Sequence, residues 1–146
     1  MISIIVLGHG HFASGIQYAL NQIIGEQENM AFIDFPESKS PAQLKDEILT
    51  ALTQLDHGDG VLFCCDILGG SPFRTASLIA QELPISEVIT GTNLQMLIEC
   101  AMEKDELPFA ELVELAIHSG KQGIVKLSEE LTQSKSHNTT QEDDGI

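Results

Sequence analysis

Two residue types at two strand-end positions carry most of the possible chemistry in this chain. His9 lies in Gly8-His9-Gly10-His11, directly after the apolar run Ile2 to Leu7. An imidazole followed by the first turn of a helix, whose free N–H groups favour anions, is suited to act as a nucleophile that carries a phosphoryl group. Asp66 closes a second apolar run, Gly60 to Cys65. A carboxylate there can accept a hydrogen bond from one ring nitrogen and so decide which nitrogen keeps its lone pair for attack. That is the orienting role an acid plays in a catalytic triad. Amides around Gly10, Gly69, Gly70 and Ser71, with the Ser71 hydroxyl, are the candidate donors to the transferring oxygens. A well-placed donor of this kind is worth about 3–4 kcal/mol in acyl-transfer enzymes. Taken singly, each feature also has a structural reading: a turn histidine, a loop-capping aspartate, a glycine turn before a helix. Taken together at the ends of two adjacent strands, they point to a site.

The elements that must position these residues follow from periodicity. Short β-branched runs alternate with segments of helical period, the pattern of βαβ units around a parallel sheet. Ile2 to Leu7 is almost uniformly apolar, as a strand buried on both faces should be. Phe12 to Ile24 repeats apolar residues at spacings of three and four, with Gly25 at the C-terminal cap position. Met30 to Asp34 reads as a second strand, and Ser40-Pro41-Ala42-Gln43 as a capping box opening a second helix. Gly60 to Cys65 is the third strand, and Ser71-Pro72 reads as a cap and first residue of a third helix running to about Glu82. Glu87 to Thr90 is the fourth strand. Thr92-Asn93-Leu94-Gln95 has capping-box spacing, with Thr92 at the cap, for a helix burying Leu94, Leu97, Ile98, Ala101 and Met102. A further helix spans Pro108 to His118 and ends at Gly120, and Ile124 to Leu127 reads as a last strand with no obvious partner. The fold class is α/β: a doubly wound, mostly parallel four-stranded sheet with helices on both faces. In such a sheet the ligand crevice lies beyond the carboxyl ends of the strands, where His9 and Asp66 fall.

Composition narrows the partners. The 146 residues hold seven Lys plus Arg against 22 Asp plus Glu, a formal charge of −15. Nucleic acid and anionic membrane surfaces would be repelled. No apolar run approaches the roughly 20 residues of a membrane span, so a cytoplasmic protein with no direct membrane insertion is expected. Cys64, Cys65 and Cys100 are odd in number, with two adjacent in a buried run, which fits reduced core residues. Residues 129–146 contain five acids, one lysine and few apolar groups, and read as an acidic disordered tail after a domain of residues 1–128. The first turn lacks the three-glycine dinucleotide fingerprint, and there is no phosphate-loop lysine. No cofactor is expected. His11, two residues from His9 in a turning backbone, is read as pointing away from the site, Arg74 either as meeting a phosphate or a partner carboxylate or as a solvated first-turn residue, and His57, His118 and His137 as surface residues. A competing reading makes His9, His11 and Asp66 ligands of a hydrolytic metal centre.

Three segments carry a resemblance: Gly8-His9-Gly10-His11-Phe12-Ala13-Ser14-Gly15, then Gly60-Val61-Leu62-Phe63-Cys64-Cys65-Asp66-Ile67-Leu68-Gly69-Gly70-Ser71-Pro72-Phe73, then Glu87-Val88-Ile89-Thr90-Gly91-Thr92-Asn93-Leu94. Over about residues 1–128 the chain resembles the IIA component of the mannose family of the sugar phosphotransferase system. The resemblance implies a cytoplasmic homodimer in which a C-terminal strand is exchanged between subunits, giving Ile124 to Leu127 a partner. It implies that His9 takes a phosphoryl group from HPr and passes it to a IIB component on a separate chain, which phosphorylates sugar entering through IIC and IID. By motif, His9 is the phosphorylated residue, Asp66 its orienter, and Ser71 with the adjoining glycines lie near the phosphoryl group. The segments around Ile33 to Glu37, Pro72 to Leu78 and Glu87 to Gln95 are similar to the subgroup serving N-acetylgalactosamine or galactosamine uptake. A phosphocarrier feeding dihydroxyacetone kinase is a related alternative, separated by the identity of the acceptor.

Overall fold

The computed structural model describes residues 1–137, with side chains through residue 134. Four strands, β1 (Ile2–His9), β2 (Met30–Phe35), β3 (Gly60–Cys65) and β4 (Ser86–Ile89), form one sheet in the order β2-β1-β3-β4, and every neighbouring pair is parallel. The helices are α1 (Phe12–Ile24), α2 (Pro41–Gln54), α3 (Gly70–Ala80), α4 (Leu94–Glu103), α5 (Phe109–Gln122) and α6 (Leu127–His137).

The central strands are apolar because both their faces are covered. Ile2, Ile4 and Val6 of β1 pack with α1, α4 and α5, whereas Ile5 and Leu7 pack with Leu44, Ile48 and Leu52 of α2 and Ala76 and Ile79 of α3. The alternation along one strand divides the core into two halves. Side chains of this size contribute about 1.5–3 kcal/mol each when fully buried, so the two central strands anchor the fold. The α2 start is built as its sequence implies: Ser40 Oγ accepts from Gln43 N–H at 3.1 Å and Gln43 Oε1 accepts from Ser40 N–H at 2.8 Å.

Several boundaries differ from the sequence reading. The α4 cap is Asn93, whose Oδ1 accepts from Met96 N–H, because Thr92 is buried and donates its hydroxyl to Cys65 O at 2.8 Å. That shift turns Met96, Leu97, Cys100 and Ala101 inward and leaves Met102 63% exposed. Gly120 does not end α5. It is buried within the helix, packed against Met96 and Asn93 at the start of α4. The strand expected over Ile124 to Leu127 is absent: residues 124–126 follow the end of α5 in irregular backbone, and Leu127 begins α6. Three apolar residues suffice for a strand only beside a free sheet edge, and Glu129 and Glu130 favour a helix start instead. Residues 129–137, expected as disordered tail, are accordingly helical, and the rest of the tail lies outside the described residues.

Candidate functional site

The sheet order makes β1 and β3 neighbours, with β2 outside one and β4 outside the other. The crevice between their carboxyl ends is the topological switch point. His9 is the last residue of β1 and Asp66 the first beyond β3. Asp66 is fixed on its own backbone by two bonds, its N–H donating to Leu7 O at 3.1 Å and its carbonyl accepting from Gly91 N–H at 3.2 Å. Its carboxylate then does three things. Oδ2 accepts from His9 N–H at 2.9 Å and meets His9 Nδ1 at 2.8 Å, and Oδ1 accepts from Ile67 N–H at 2.9 Å. Burial alone would raise the Asp66 carboxyl, but the His9 and Ile67 donors outweigh it and hold the group below its ordinary value. An ionised carboxylate only accepts, so Nδ1 carries the proton and Nε2 keeps the lone pair. The ring packs edge-on against Phe35, with centroids 6.1 Å apart, and its side chain is 44% exposed.

The free edge of the imidazole faces the start of α3. A Cβ on Gly70 would lie 2.9 Å from both His9 Cε1 and Nε2, so only glycine lets the backbone come this close. Gly69 and Gly70 have φ of +89° and +79°. Gly69 is the cap, offers no side chain to the first-turn N–H groups, and leaves them open to a ligand. Ser71 is therefore the second residue of the helix and not its cap, and among the described residues its hydroxyl has no hydrogen bond. Gly10 departs from expectation. Its N–H donates to Phe35 O at 2.8 Å and its carbonyl accepts from Phe35 N–H, so that amide is spent on the sheet and is not available to a phosphoryl group.

His11 does not join His9 and Asp66. Its Nδ1 lies 3.1 Å from Asp34 Oδ2, while Asp34 Oδ1 accepts from Ser14 N–H at 2.8 Å, and the His11 side chain is 81% exposed. The three proposed metal ligands are thus divided between two separate pairs. Among the described residues no group of three His, Cys, Asp or Glu is placed to hold a metal. The hydrolytic metal reading has no geometric support. Asp34 was missed as a site neighbour because its position depends on the β1–β2 register, which sets Gly8 opposite Asp34. Cys64, Cys65 and Cys100 are buried and unpaired; burial pushes Cys65 and Cys100 up to about 12, far from a neutral-pH thiolate. A cavity of about 560 Å³ lies elsewhere, lined by Met1, Ile85, Lys104 and Phe109 among others. The His9 site is an open rim, a geometry suited to exchange with another macromolecule.

Comparison with known proteins identifies the family. Residues 3–117 match the family model EIIA-man, described as PTS system fructose IIA component. The chain belongs to this family. It is 39% identical over 127 residues to the PTS system mannose-specific EIIAB component of Escherichia coli (strain K12), a match covering 86% of this chain and 39% of that protein. The chain therefore spans well under half the length of that relative. It is 29% identical over 145 residues to the PTS system fructose-specific EIIA component of Bacillus subtilis (strain 168), covering 99% of each. Among solved structures, the phosphotransferase system component EIIA from Streptococcus agalactiae superposes with a TM-score of 0.81 at 31% identity, covering 88% of this chain and 99% of that one. The EIIA assignment accounts for the α/β fold with an all-parallel four-stranded sheet. Among the described residues no helix is long and apolar enough to cross a membrane.

Proposed function

We propose that this chain is a phosphohistidine carrier of a sugar phosphotransferase system, accepting a phosphoryl group from HPr on His9 and passing it to a IIB component. The observation that carries the reading is the pairing of His9 Nδ1 with Asp66, which leaves Nε2 against the open start of α3. In the transfer, the Nε2 lone pair forms the new N–P bond as the donor's N–P bond breaks. The ring, still protonated at Nδ1, becomes cationic, and the Asp66 carboxylate stabilises that charge without taking the proton. The first-turn N–H groups at Gly70 and Ser71, with the Ser71 hydroxyl, receive the phosphoryl oxygens. Onward transfer reverses these steps.

The finer parts of the reading are a cytoplasmic location, where HPr and IIB exchange phosphoryl groups, and uptake through IIC and IID of an amino sugar, N-acetylgalactosamine or galactosamine, by resemblance of the segments noted above. A homodimer belongs to the same reading. Ile124, Val125, Leu127 and Leu131 are each more than half exposed. A second copy receiving this segment on its sheet edge would bury them. Val125→Asp is expected to shift the protein from dimer to monomer in light scattering; a dimer unchanged by that substitution contradicts the exchange.

The carrier reading is tested by loading the protein from phosphoenolpyruvate, enzyme I and HPr, then reading ³¹P–¹⁵N coupling on labelled imidazole. Phosphorus on Nε2 of His9 is expected. Phosphorus on Nδ1, or none, contradicts the proposed geometry.

A further inference from the structure

Beside the His9 site a groove of about 240 Å³ runs between α2 and α3. Lys45 of α2 and Arg74 of α3 are its charged lining residues, Ser71 and Thr75 supply hydroxyls, and Pro41 and Leu78 form apolar walls. Its charge is unlike the rest of the molecule. The chain holds 22 acids against seven bases, yet no acid lines this groove. Lys39, Lys104 and Lys126 each face a carboxylate, whereas among the described residues Lys45, Arg74 and Lys121 face none, and of these three Lys45 and Arg74 share the groove. Thr75 is 8% exposed, and no hydrogen-bond partner for its hydroxyl is found among the described residues. Two cations and two hydroxyl donors without partners therefore converge on one opening.

Ser71 lies both in this groove and at the start of α3 next to His9. A protein seated over His9 to exchange a phosphoryl group reaches the Ser71 end of the groove as well. We propose that the Lys45–Arg74 groove receives a carboxylate side chain of the protein that docks over His9, and so sets which partner proteins are accepted. The inference rests on the carrier reading above. The walls suit a glutamate, whose methylenes lie against Pro41 and Leu78 while its carboxylate meets the guanidinium and ammonium groups. In a chain of net charge −15, which draws basic surfaces at long range, a local cationic socket fixes register at contact.

The test compares wild type with the double variant Lys45→Glu/Arg74→Glu in three reactions: loading from phospho-HPr, transfer to IIB, and loading from phosphoramidate, a small donor with no docking surface. The expected result is a KM about tenfold higher in at least one protein-to-protein transfer with kcat little changed, and phosphoramidate loading within about twofold of wild type. Phosphoramidate loading also reports that the variant is folded. Replacing an acidic residue on the rim of the affected partner with arginine is expected to restore the variant. Unchanged KM in both protein transfers overturns the groove while leaving His9 as carrier. Loss of phosphoramidate loading overturns it too, because the groove would then hold the phosphoryl group itself. A wild type loaded by neither donor overturns the carrier reading.

Discussion

Asp66 holds the reactive ring in one tautomer by accepting three hydrogen bonds, and its replacement tests that role directly. Asp66→Asn is nearly isosteric, but its amide can donate to Nδ1 and so move the ring proton to Nε2. Phosphoryl transfer through His9 should fall about 10²-fold or more in rapid-quench kinetics, with little change in the apparent affinity for HPr. Gly70→Ala probes the other edge of the ring. Its positive φ costs a non-glycine residue about 1–2 kcal/mol. Its Cβ would also stand 2.9 Å from Nε2, so the loading rate should fall about 10²-fold through displacement of the ring. Wild-type loading in that variant would mean that the α3 start does not approach the nucleophile. At this scale His9, Asp66 and Gly69 to Ser71 were legible in the sequence because each stands at a strand or helix terminus. The pairing of His11 with Asp34 was not legible, since it depends on which residue of β2 lies beside β1. The commitment of Gly10 to Phe35 was hidden for the same reason.

Elements place the residues, and their ends are where sequence and structure differ most. The α1 and α2 limits follow from apolar spacing and a complete capping box. The α4 start does not, because Thr92 and Asn93 are both competent caps and a tertiary bond decides between them: Thr92 is drawn to Cys65 O. Asn93 then serves twice, accepting from Met96 N–H and donating Nδ2–H to Gly120 O at 2.9 Å, which ties α4 to α5. Asn93→Ala should lower stability by about 2 kcal/mol in urea unfolding, one part from the cap and one from the lost link. Loading of His9 should be unaffected. A loss of a few tenths of a kcal/mol would show that the two helices are held by packing alone. Gly120 illustrates a general ambiguity, since a glycine late in a helix pattern marks either an end or a close approach. The apolar run Ile124 to Leu127 is not a strand within the single chain, because a strand exists only on a sheet edge and nothing in the run's own sequence says which edge, or which subunit's, it would join.

For the whole molecule, charge sets two expectations. Asp34 and Asp66 are both held below their ordinary value by donors that outweigh burial. A carboxyl depressed on folding stabilises the protein above its unfolded value, near pH 3.9, and that contribution is lost as pH falls through the lower, folded value. Asp34→Asn should therefore weaken the protein at pH 7, with the difference in urea midpoint shrinking as pH falls below the ordinary carboxyl range. A difference that stays constant as pH falls would assign the loss to packing. The net charge of −15 should make association with basic partner surfaces slow as salt rises from about 0.05 to 0.5 M.

The central claim is that His9 carries the phosphoryl group, and intact-mass analysis tests it most directly. Wild type, His9→Ala and His11→Ala would be incubated with phosphoenolpyruvate, enzyme I and HPr and examined for one acid-labile phosphoryl group. The account predicts the group on wild type and on His11→Ala, and none on His9→Ala. Phosphorylation that survives in His9→Ala, or that is absent from wild type, would contradict it.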